Sequence, residues 1–124
     1  MKRLIIHASI ILAISCSAGS ALRVFAAEKH SIGNVMKEAM KGETSLHKRV
    51  ALGKGTDEDA AKLLAYFQSL PAEMPPEGDA ASWKEKTEKL IAAAQSVVDK
   101  KPGATAQLQT AGNCKACHNV HKGS

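Results

Sequence analysis

The chain has 124 residues, of which 44% are hydrophobic, 3% are aromatic and 23% are charged, and its formal net charge is +5. This length suits one small domain and excludes a two-domain enzyme with a buried interdomain cleft. With so few aromatic side chains the core lacks bulk, and small domains are marginally stable without a staple, a metal or a partner. We therefore expect a bound group or partner to complete the core.

The first 26 residues have the layout of a secretory signal peptide. Lys2 and Arg3 give a positive start, a mostly apolar stretch covers residues 4–22, and small residues lead to Ala26. This order predicts cleavage after Ala26, export to the periplasm and no stable membrane span after processing. A transmembrane anchor is the alternative, but polar and small residues within the apolar stretch disfavour it. Lipidation of Cys16 is a second alternative. The residues that lead up to Cys16 only partly resemble a lipobox, which disfavours it.

Charge then excludes one class of partner. Cleavage would remove Lys2, Arg3 and Arg23 and lower the formal net charge from +5 to +2. Nucleic-acid binding needs a concentrated basic face, and no basic stripe with interleaved aromatic residues occurs. No nucleic-acid partner is therefore expected, and the charges are interpreted as solvated helix faces.

The cysteines give the strongest functional signal. Residues 27–124 contain two, and both lie in the run Cys114-Lys115-Ala116-Cys117-His118. In an exported chain a Cys-x-x-Cys-His run indicates attachment of c-type haem. The spacing lets both sulfurs meet the two vinyl groups of one porphyrin, while the adjacent imidazole can reach the iron. The sequence thus predicts one covalent haem c, with Cys114 and Cys117 as thioether anchors and His118 as the proximal axial ligand of iron.

Two other interpretations of these residues are weaker. A thioredoxin-like dithiol would follow a strand in a βαβ pattern, and no such pattern is visible. A zinc site could use Cys114, Cys117, His118 and His121, which share one face of the helix predicted there. Because a helix rises about 1.5 Å per residue, the ends of that stripe lie too far apart to surround one ion.

The first half of the mature chain predicts two helical segments. The first begins near Ser31, is interrupted at Gly42 and continues to about Leu52, which predicts a kinked or broken helix. Thr56 is the expected N-cap of the second, with acidic residues in its first turn, and Pro71 ends it. The apolar residues of the first segment recur at helical spacing: Ile32, Val35, Met36, Ala39 and Met40.

Two further helices are predicted after a proline-rich connection. The third begins at Ser82, with Glu85 completing a capping box, and ends at Pro102. The fourth is expected to run unbroken from about residue 104 to 121, with the haem motif near its end. The predicted fold is all-α, an antiparallel four-helix bundle with covalently bound haem c near the C-terminus, in which the haem supplies the missing apolar bulk.

The position of the Cys-x-x-Cys-His run in this sequence is similar to its position in one known family. Six residues of the given sequence follow His118 and none is Met, so we do not expect the ordinary class I arrangement with its downstream Met ligand. A C-terminal Cys-x-x-Cys-His on the last helix of a bundle resembles the class II cytochromes c, the cytochrome c′ family. Residues 27–124 would then form a cytochrome c′-like haem domain. The first helix lacks the Arg-Gln pair often found in that family, and the chain is shorter than usual.

The resemblance also implies where the distal face of the haem lies. Helices one and four of such a bundle are antiparallel neighbours, so Met36 lies at a height similar to that of His118. Met40, one turn further along, is the second candidate for the distal haem face. Ligation of iron by Met36 gives a six-coordinate site suited to electron transfer. If Met36 only packs there, the site is five-coordinate and binds NO or CO; plain core packing is the third interpretation.

The sequence therefore predicts an exported mono-haem c-type cytochrome that transfers single electrons between redox partner proteins. The alternative is a five-coordinate cytochrome c′-type protein that binds NO or CO in an apolar distal pocket. No catalytic constellation of side chains is recognisable, so an enzyme is not expected. A homodimer is a further expectation, with a patch near Leu46 and Val50 as its interface. His47 is expected at the surface, roughly 16 Å beyond Met36 along an unbroken helix.

Overall fold

A computed structural model describes residues 28–123 of the chain. The predicted signal peptide, residues 1–26, its cleavage site and Cys16 lie outside this range. The described part is helical and contains no strand, which confirms the all-α expectation. Within it, no helix is both long and apolar enough to cross a membrane. The α-helices are α1 (Ile32–Val35), α2 (Leu46–Ala51), α3 (Asp57–Gln68), α4 (Ala80–Val98), α5 (Ala104–Ala111) and α6 (Cys114–His121).

Helix α3 begins at the predicted cap. The Thr56 hydroxyl accepts a hydrogen bond from the Asp59 N–H at 3.0 Å, and the Asp59 carboxylate accepts one from the Thr56 N–H at 3.1 Å. This reciprocal capping box satisfies N–H groups that a helix start leaves without intrahelical partners. A 3-10 turn, Leu70–Ala72, follows the end of the helix and contains the expected proline. The boundaries of this segment were thus readable from local sequence.

Helix α4 begins two residues before the predicted start, so the prediction of Ser82 as its cap was wrong. The Asp79 carboxylate caps the helix, accepting hydrogen bonds from the N–H groups of Ala81 and Ser82, both at 3.0 Å. Asp and Ser are comparably good N-caps, so residue type alone did not decide between them. The Ser82 hydroxyl contacts the His121 imidazole instead, at 3.1 Å.

Helices α3 and α4 form an antiparallel hairpin that contains much of the core. Asp57 at the start of α3 pairs with Lys100 after the end of α4, at 2.8 Å. At the other end, the Trp83 indole N–H donates to the Leu70 carbonyl at 3.1 Å. The buried apolar residues of the hairpin are Ala60, Leu63, Phe67, Leu70, Trp83, Leu90, Ala93 and Ala94. Long-range contacts at both ends fix the register of the two helices.

The first helical segment is broken, as predicted. Helix α1 continues into a π-helical turn, Met36–Met40, after which Lys41 is extended and Gly42 adopts φ +96°. That conformation favours glycine because it has no Cβ. Helix α2 restarts after Ser45, whose side chain accepts a hydrogen bond from the Lys48 N–H.

The surface patch predicted near Leu46 and Val50 is not exposed. Both side chains belong to the hydrophobic core and are almost fully buried. The expectation that they form a dimer interface was therefore wrong. After the break at Gly42, α2 packs against α3 and α5, and both side chains lie in the core.

The predicted final helix is divided, so the prediction of one unbroken helix was wrong. Helix α5 ends at Ala111, and the Asn113 side chain caps α6 by accepting a hydrogen bond from the Ala116 N–H at 3.2 Å. The Gln109 side chain donates to the Ala51 carbonyl at 2.7 Å and holds α5 against α2. The haem motif therefore lies on a short helix of its own, which begins at Cys114.

Candidate cofactor site

One cavity of about 640 Å³ brings together all five residues predicted for the haem site: Met36, Met40, Cys114, Cys117 and His118. Its remaining wall residues are Gly33, Lys37, Lys41, Leu90, Ala111, Gly112, Asn113 and Lys122. The wall is mostly apolar and comes from the first segment, α4, and the junction of α5 with α6. Cavities of about 300–1,000 Å³ with such a lining are typical of cofactor and ligand sites.

Helix α6 places the motif side chains through its spacing. Cys114 and Cys117 are one turn apart, and His118 follows Cys114 by four residues, so all three border the same cavity. Cys114 is exposed, Cys117 is half-buried, and neither is in a disulfide. The His118 side chain is exposed and makes no hydrogen bond to residues 28–123. Two thiols and an imidazole are thus free to react with or bind a group in the cavity.

The π-helical turn forms another part of the cavity wall. It begins at Met36 and ends at Met40, and both methionines are half-buried beside the cavity while Ala39 is fully buried behind them. π-helical turns are rare and occur frequently at functional sites. Two thioether sulfurs, which are soft ligands for a haem iron, therefore border the cavity that His118 also lines.

The protonation of Cys117 bears on the dithiol interpretation. Burial raises the pKa of the Cys117 thiol, and the nearby Lys86 ammonium acts in the opposite direction with a smaller effect. Reactive cysteines of thioredoxin-like sites have lowered pKa values. No strand precedes the motif within residues 28–123. Both observations disfavour a thioredoxin-like redox pair.

His121 has a structural environment that disfavours the zinc interpretation. Its ring is buried and lies edge-on to Trp83, with ring centroids 5.4 Å apart. The Nδ1 atom lies 3.0 Å from the Glu77 carbonyl oxygen, an acceptor, so Nδ1 carries the proton. The Nε2 atom is hydrogen-bonded to the Ser82 hydroxyl. Both nitrogens are therefore engaged, and residues 28–123 hold no cluster of three or more His, Cys, Asp or Glu side chains arranged for a metal ion.

His47 is buried, so its predicted surface position was wrong. Its side chain is only 8% exposed, and its Nε2 atom has no hydrogen-bond partner in the described part of the chain. Burial lowers the pKa of His47, and the Leu108 carbonyl acts weakly in the opposite direction. A Cβ atom at Gly112 would overlap the His47 Nε2. His47 therefore packs directly behind the backbone that joins α5 to α6.

Sequence reasoning missed three features of this site. The division of the last helix could have been read from Gly112-Asn113, since Gly ends helices and Asn caps them. The burial of His47 had no local signal, because it depends on the long-range approach of α2 to Gly112. Two lysines of the first segment in the cavity wall, Lys37 and Lys41, were likewise not predicted, because they lie far from the motif in the sequence.

Comparisons with known proteins identify no relative: the chain matches no family model, no curated protein and no solved structure. The chemistry of the cavity is consequently judged from its residues. Two free thiols, one free imidazole and two thioethers fit a covalently attached haem, because each donor type has a recognised role in c-type haem binding. An apolar wall of Leu90 and Ala111 suits a flat, mostly hydrocarbon macrocycle.

Proposed function

We propose that this chain is an exported mono-haem c-type cytochrome that transfers single electrons between redox partner proteins in the periplasm. One observation carries the proposal: five donor residues from opposite ends of the mature sequence border the same cavity. The sequence motif alone identifies two thiols and an imidazole, whereas the cavity adds the space and the methionines. The predicted signal peptide supports export, and haem c attachment belongs to exported chains.

Each site residue has its own role in binding the haem. Cys114 and Cys117 anchor the haem through thioether bonds, and His118 is the proximal ligand. Met36 is the first candidate for the distal face and Met40 the second. A bound haem would supply an iron that accepts and releases one electron. The chain supplies the anchors, the axial ligands and an apolar wall that excludes water.

The choice of axial ligands determines what the iron does. A Met sulfur opposite a His nitrogen raises the reduction potential and suits electron transfer. Both methionines are only half-buried, and both pack against the core from the edge of the cavity. Both side chains therefore border the cavity as well as the core, which supports ligation over plain core packing.

The overall architecture proposed is an antiparallel four-helix bundle of the cytochrome c′ type. The first helix would comprise α1, the π-helical turn and α2, and the last would comprise α5 and α6. The antiparallel α3–α4 hairpin supports this arrangement, as does the hydrogen bond from Gln109 in α5 to Ala51 in α2. The breaks at Gly42 and Gly112 are departures from regular long helices.

The apolar lining also favours a second function, the binding of NO or CO. If neither methionine binds iron, Met36, Met40 and Leu90 form an apolar distal pocket, and the site is five-coordinate. Small uncharged gases are the ligands that such a pocket admits. The two functions differ in whether a sulfur occupies the sixth position, so one spectroscopic experiment separates them.

The test is an absorption spectrum of the protein exported from a host with a haem c attachment system. A low-spin spectrum that CO leaves unchanged is the result expected for electron transfer. Met36→Ala should then give a high-spin, CO-sensitive spectrum, with Met40→Ala as the parallel variant. Met74→Ala is the matched control, because Met74 is 89% exposed and outside the cavity. A high-spin, CO-sensitive wild type supports gas binding, and a chain without haem contradicts both functions.

A further inference from the structure

Helix α6, which carries the Cys-x-x-Cys-His run, has one buried side chain, and it belongs to His121. Cys117 is half-buried against the core, and the other residues of the helix are exposed. The Asn113 cap bonds within the first turn of α6 itself, to the Ala116 N–H. His121 is therefore the most deeply buried contact of this helix, and it lies at the end opposite to the junction with α5.

The His121 ring is seated in a socket formed by Glu77, Gly78, Ser82 and Trp83. Its Nδ1–H donates to the Glu77 carbonyl oxygen at 3.0 Å, and its Nε2 accepts from the Ser82 hydroxyl at 3.1 Å. The Trp83 ring meets it in a T-shaped contact, with ring centroids 5.4 Å apart. These contacts reach different atoms of the imidazole, so together they hold the ring in one orientation.

The socket is built for a close approach of α6 and is fixed to the α3–α4 hairpin. Gly78 adopts φ +87°, and a Cβ atom there would overlap the His121 Nδ1 and the Val120 carbonyl oxygen. A residue with a side chain at position 78 would therefore keep the end of α6 away. The Trp83 indole N–H donates to the Leu70 carbonyl, which ties the socket to the far end of α3.

The seat of His121 bears on His118 because the two residues share one face of α6. With 3.6 residues per turn, they are separated by about 60° around the helix axis and by about 4.5 Å along it. A contact that fixes the His121 ring therefore also fixes the rotation of α6 about its axis. If α6 turned, His118 would leave the cavity that it borders together with Cys114 and Cys117.

We propose that His121 is a positioning residue for the haem ligand His118, because its seat in the socket sets the rotation of α6 and so keeps His118 on the cavity. That His118 binds iron rests on the proposed function, whereas the seat of His121 rests on contacts between described residues. A phenylalanine would also fill the socket and pack on Trp83, but it has neither a donor nor an acceptor. The two hydrogen bonds of the ring are therefore what distinguishes positioning from plain packing.

Two serines of α4 provide a matched pair for the test. Ser82→Ala removes one hydrogen bond of His121 and leaves the His121 and Trp83 rings in place. Ser96 is also half-buried, but its hydroxyl donates to the Ala92 carbonyl of its own helix, so Ser96→Ala is the control. Ser82→Thr keeps a hydroxyl at the same position. His121→Phe removes both hydrogen bonds and keeps an aromatic ring in the socket.

The first measurement is amide hydrogen exchange of the exported, haem-loaded protein, followed by NMR. Exchange in α6 should accelerate about three- to tenfold in Ser82→Ala and at least about tenfold in His121→Phe, while exchange in α3 stays unchanged. Ser96→Ala and Ser82→Thr should keep the wild-type rates. In the double variant Ser82→Ala/His121→Phe the rates should equal those of His121→Phe, because the bond is already lost. Unchanged exchange of α6 in Ser82→Ala, or equal acceleration in α3, would overturn the proposal.

The second measurement distinguishes positioning from stabilisation. In the oxidised protein the paramagnetically shifted haem methyl resonances report the orientation of the axial imidazole. They should move in Ser82→Ala and stay in place in Ser96→Ala. Faster exchange of α6 with unmoved resonances would mean that His121 only stabilises the helix, which contradicts the positioning role and leaves the proposed function standing. A chain without haem contradicts the proposed function itself, and with it the role of His118 as a ligand.

Discussion

The α3–α4 hairpin and the wall of the cofactor cavity differ in how far their own side chains complete them. In the hairpin, Leu63 and Phe67 are fully buried, and both helices begin at side-chain caps. In the cavity wall, Cys114 and His118 are exposed, and the methionines are half-buried. Helices as short as α1 and α6 depend on tertiary packing for their stability. The hairpin core is closed by its own side chains, whereas the side chains of the wall remain partly exposed at the cavity.

The largest expected effect comes from removing the proposed haem anchors with Cys114→Ala/Cys117→Ala. This variant should carry no covalent haem, which a haem stain after denaturing electrophoresis measures directly. Because the wall then loses its packing partner, amide exchange in α1 and α6 should accelerate at least about tenfold, while the core amides of α3 and α4 change less.

The control for that experiment is Met74→Ala, which leaves the cavity intact. It should retain the haem and show the wild-type exchange pattern. Equal acceleration of amide exchange in the hairpin and in the cavity wall would contradict this prediction, because it would mean that the two regions unfold as one unit.

Gly112→Ala should have the next largest effect, since Gly112 joins the core to the cavity wall. Its φ of −82° is ordinary, so the glycine is required by close packing and not by backbone strain. The new methyl group would overlap the buried His47 ring. Overpacking of this kind costs about 1–3 kcal/mol in the free energy of unfolding, measurable by urea denaturation.

Two further variants test whether His47 is the cause. Gly33→Ala is the control, because the nearest atom to its added methyl group is 4.0 Å away, and it should change stability by less than about 1 kcal/mol. In Gly112→Ala/His47→Ala the overlap is removed, so the loss should be smaller than the sum of the single effects by about 1 kcal/mol. If the two single effects on the free energy of unfolding simply add, the strain in Gly112→Ala does not come from the contact with His47.

His47 should also make stability depend on pH. Its pKa is lowered in the folded state by burial, so between that value and the ordinary pKa of about 6.5 the unfolded chain binds the proton and the folded chain does not. The stability that the neutral His47 contributes is therefore full well above about pH 6.5 and falls as the pH drops through that value, with a slope of at most about 1.4 kcal/mol per pH unit. Two charged residues, Glu43 and Lys48, line a shallow cavity together with His47. They form an ion pair with each other and not with His47.

Urea denaturation at several pH values between about 5 and 8 measures this effect. The informative quantity is the difference between the pH profiles of wild type and His47→Leu. The variant should show a flatter pH profile. Parallel profiles would mean that His47 does not carry the dependence.

The two regions also differ in how far the sequence alone could predict them. Periodicity, the Thr56 cap and Pro71 predict α3 almost to the residue, because these signals act within one or two turns. The break at Gly42 was predictable for the same reason. Asp79 and Ser82 were competing caps of equal quality, and the choice depended on the contact of Ser82 with His121, a residue far away in sequence.

Among the cavity residues, too, some were predictable from local sequence and others depend on long-range packing. Cys114, Cys117 and His118 form a local motif whose chemistry is recognisable without a structure. Met36 was selected only through an assumed bundle geometry, and its position beside the cavity agrees with that assumption. His47 could not be placed, because its burial depends on the glycine that divides α5 from α6. Sequence reasoning therefore predicted the candidate donors but not the packing that brings them to one cavity.

The smallest expected effect comes from a local feature of the hairpin, the capping box of α3. Thr56→Ala removes the side-chain half of the α3 capping box and should lower the free energy of unfolding by about 1 kcal/mol, measured by urea denaturation. Thr44→Ala is the matched control, because Thr44 is exposed and its hydroxyl makes no hydrogen bond within residues 28–123. If the hairpin stabilises itself, the Thr56 loss should be the same with and without haem. A loss that appears only in the haem-free protein would show that the hairpin also depends on the filled cavity.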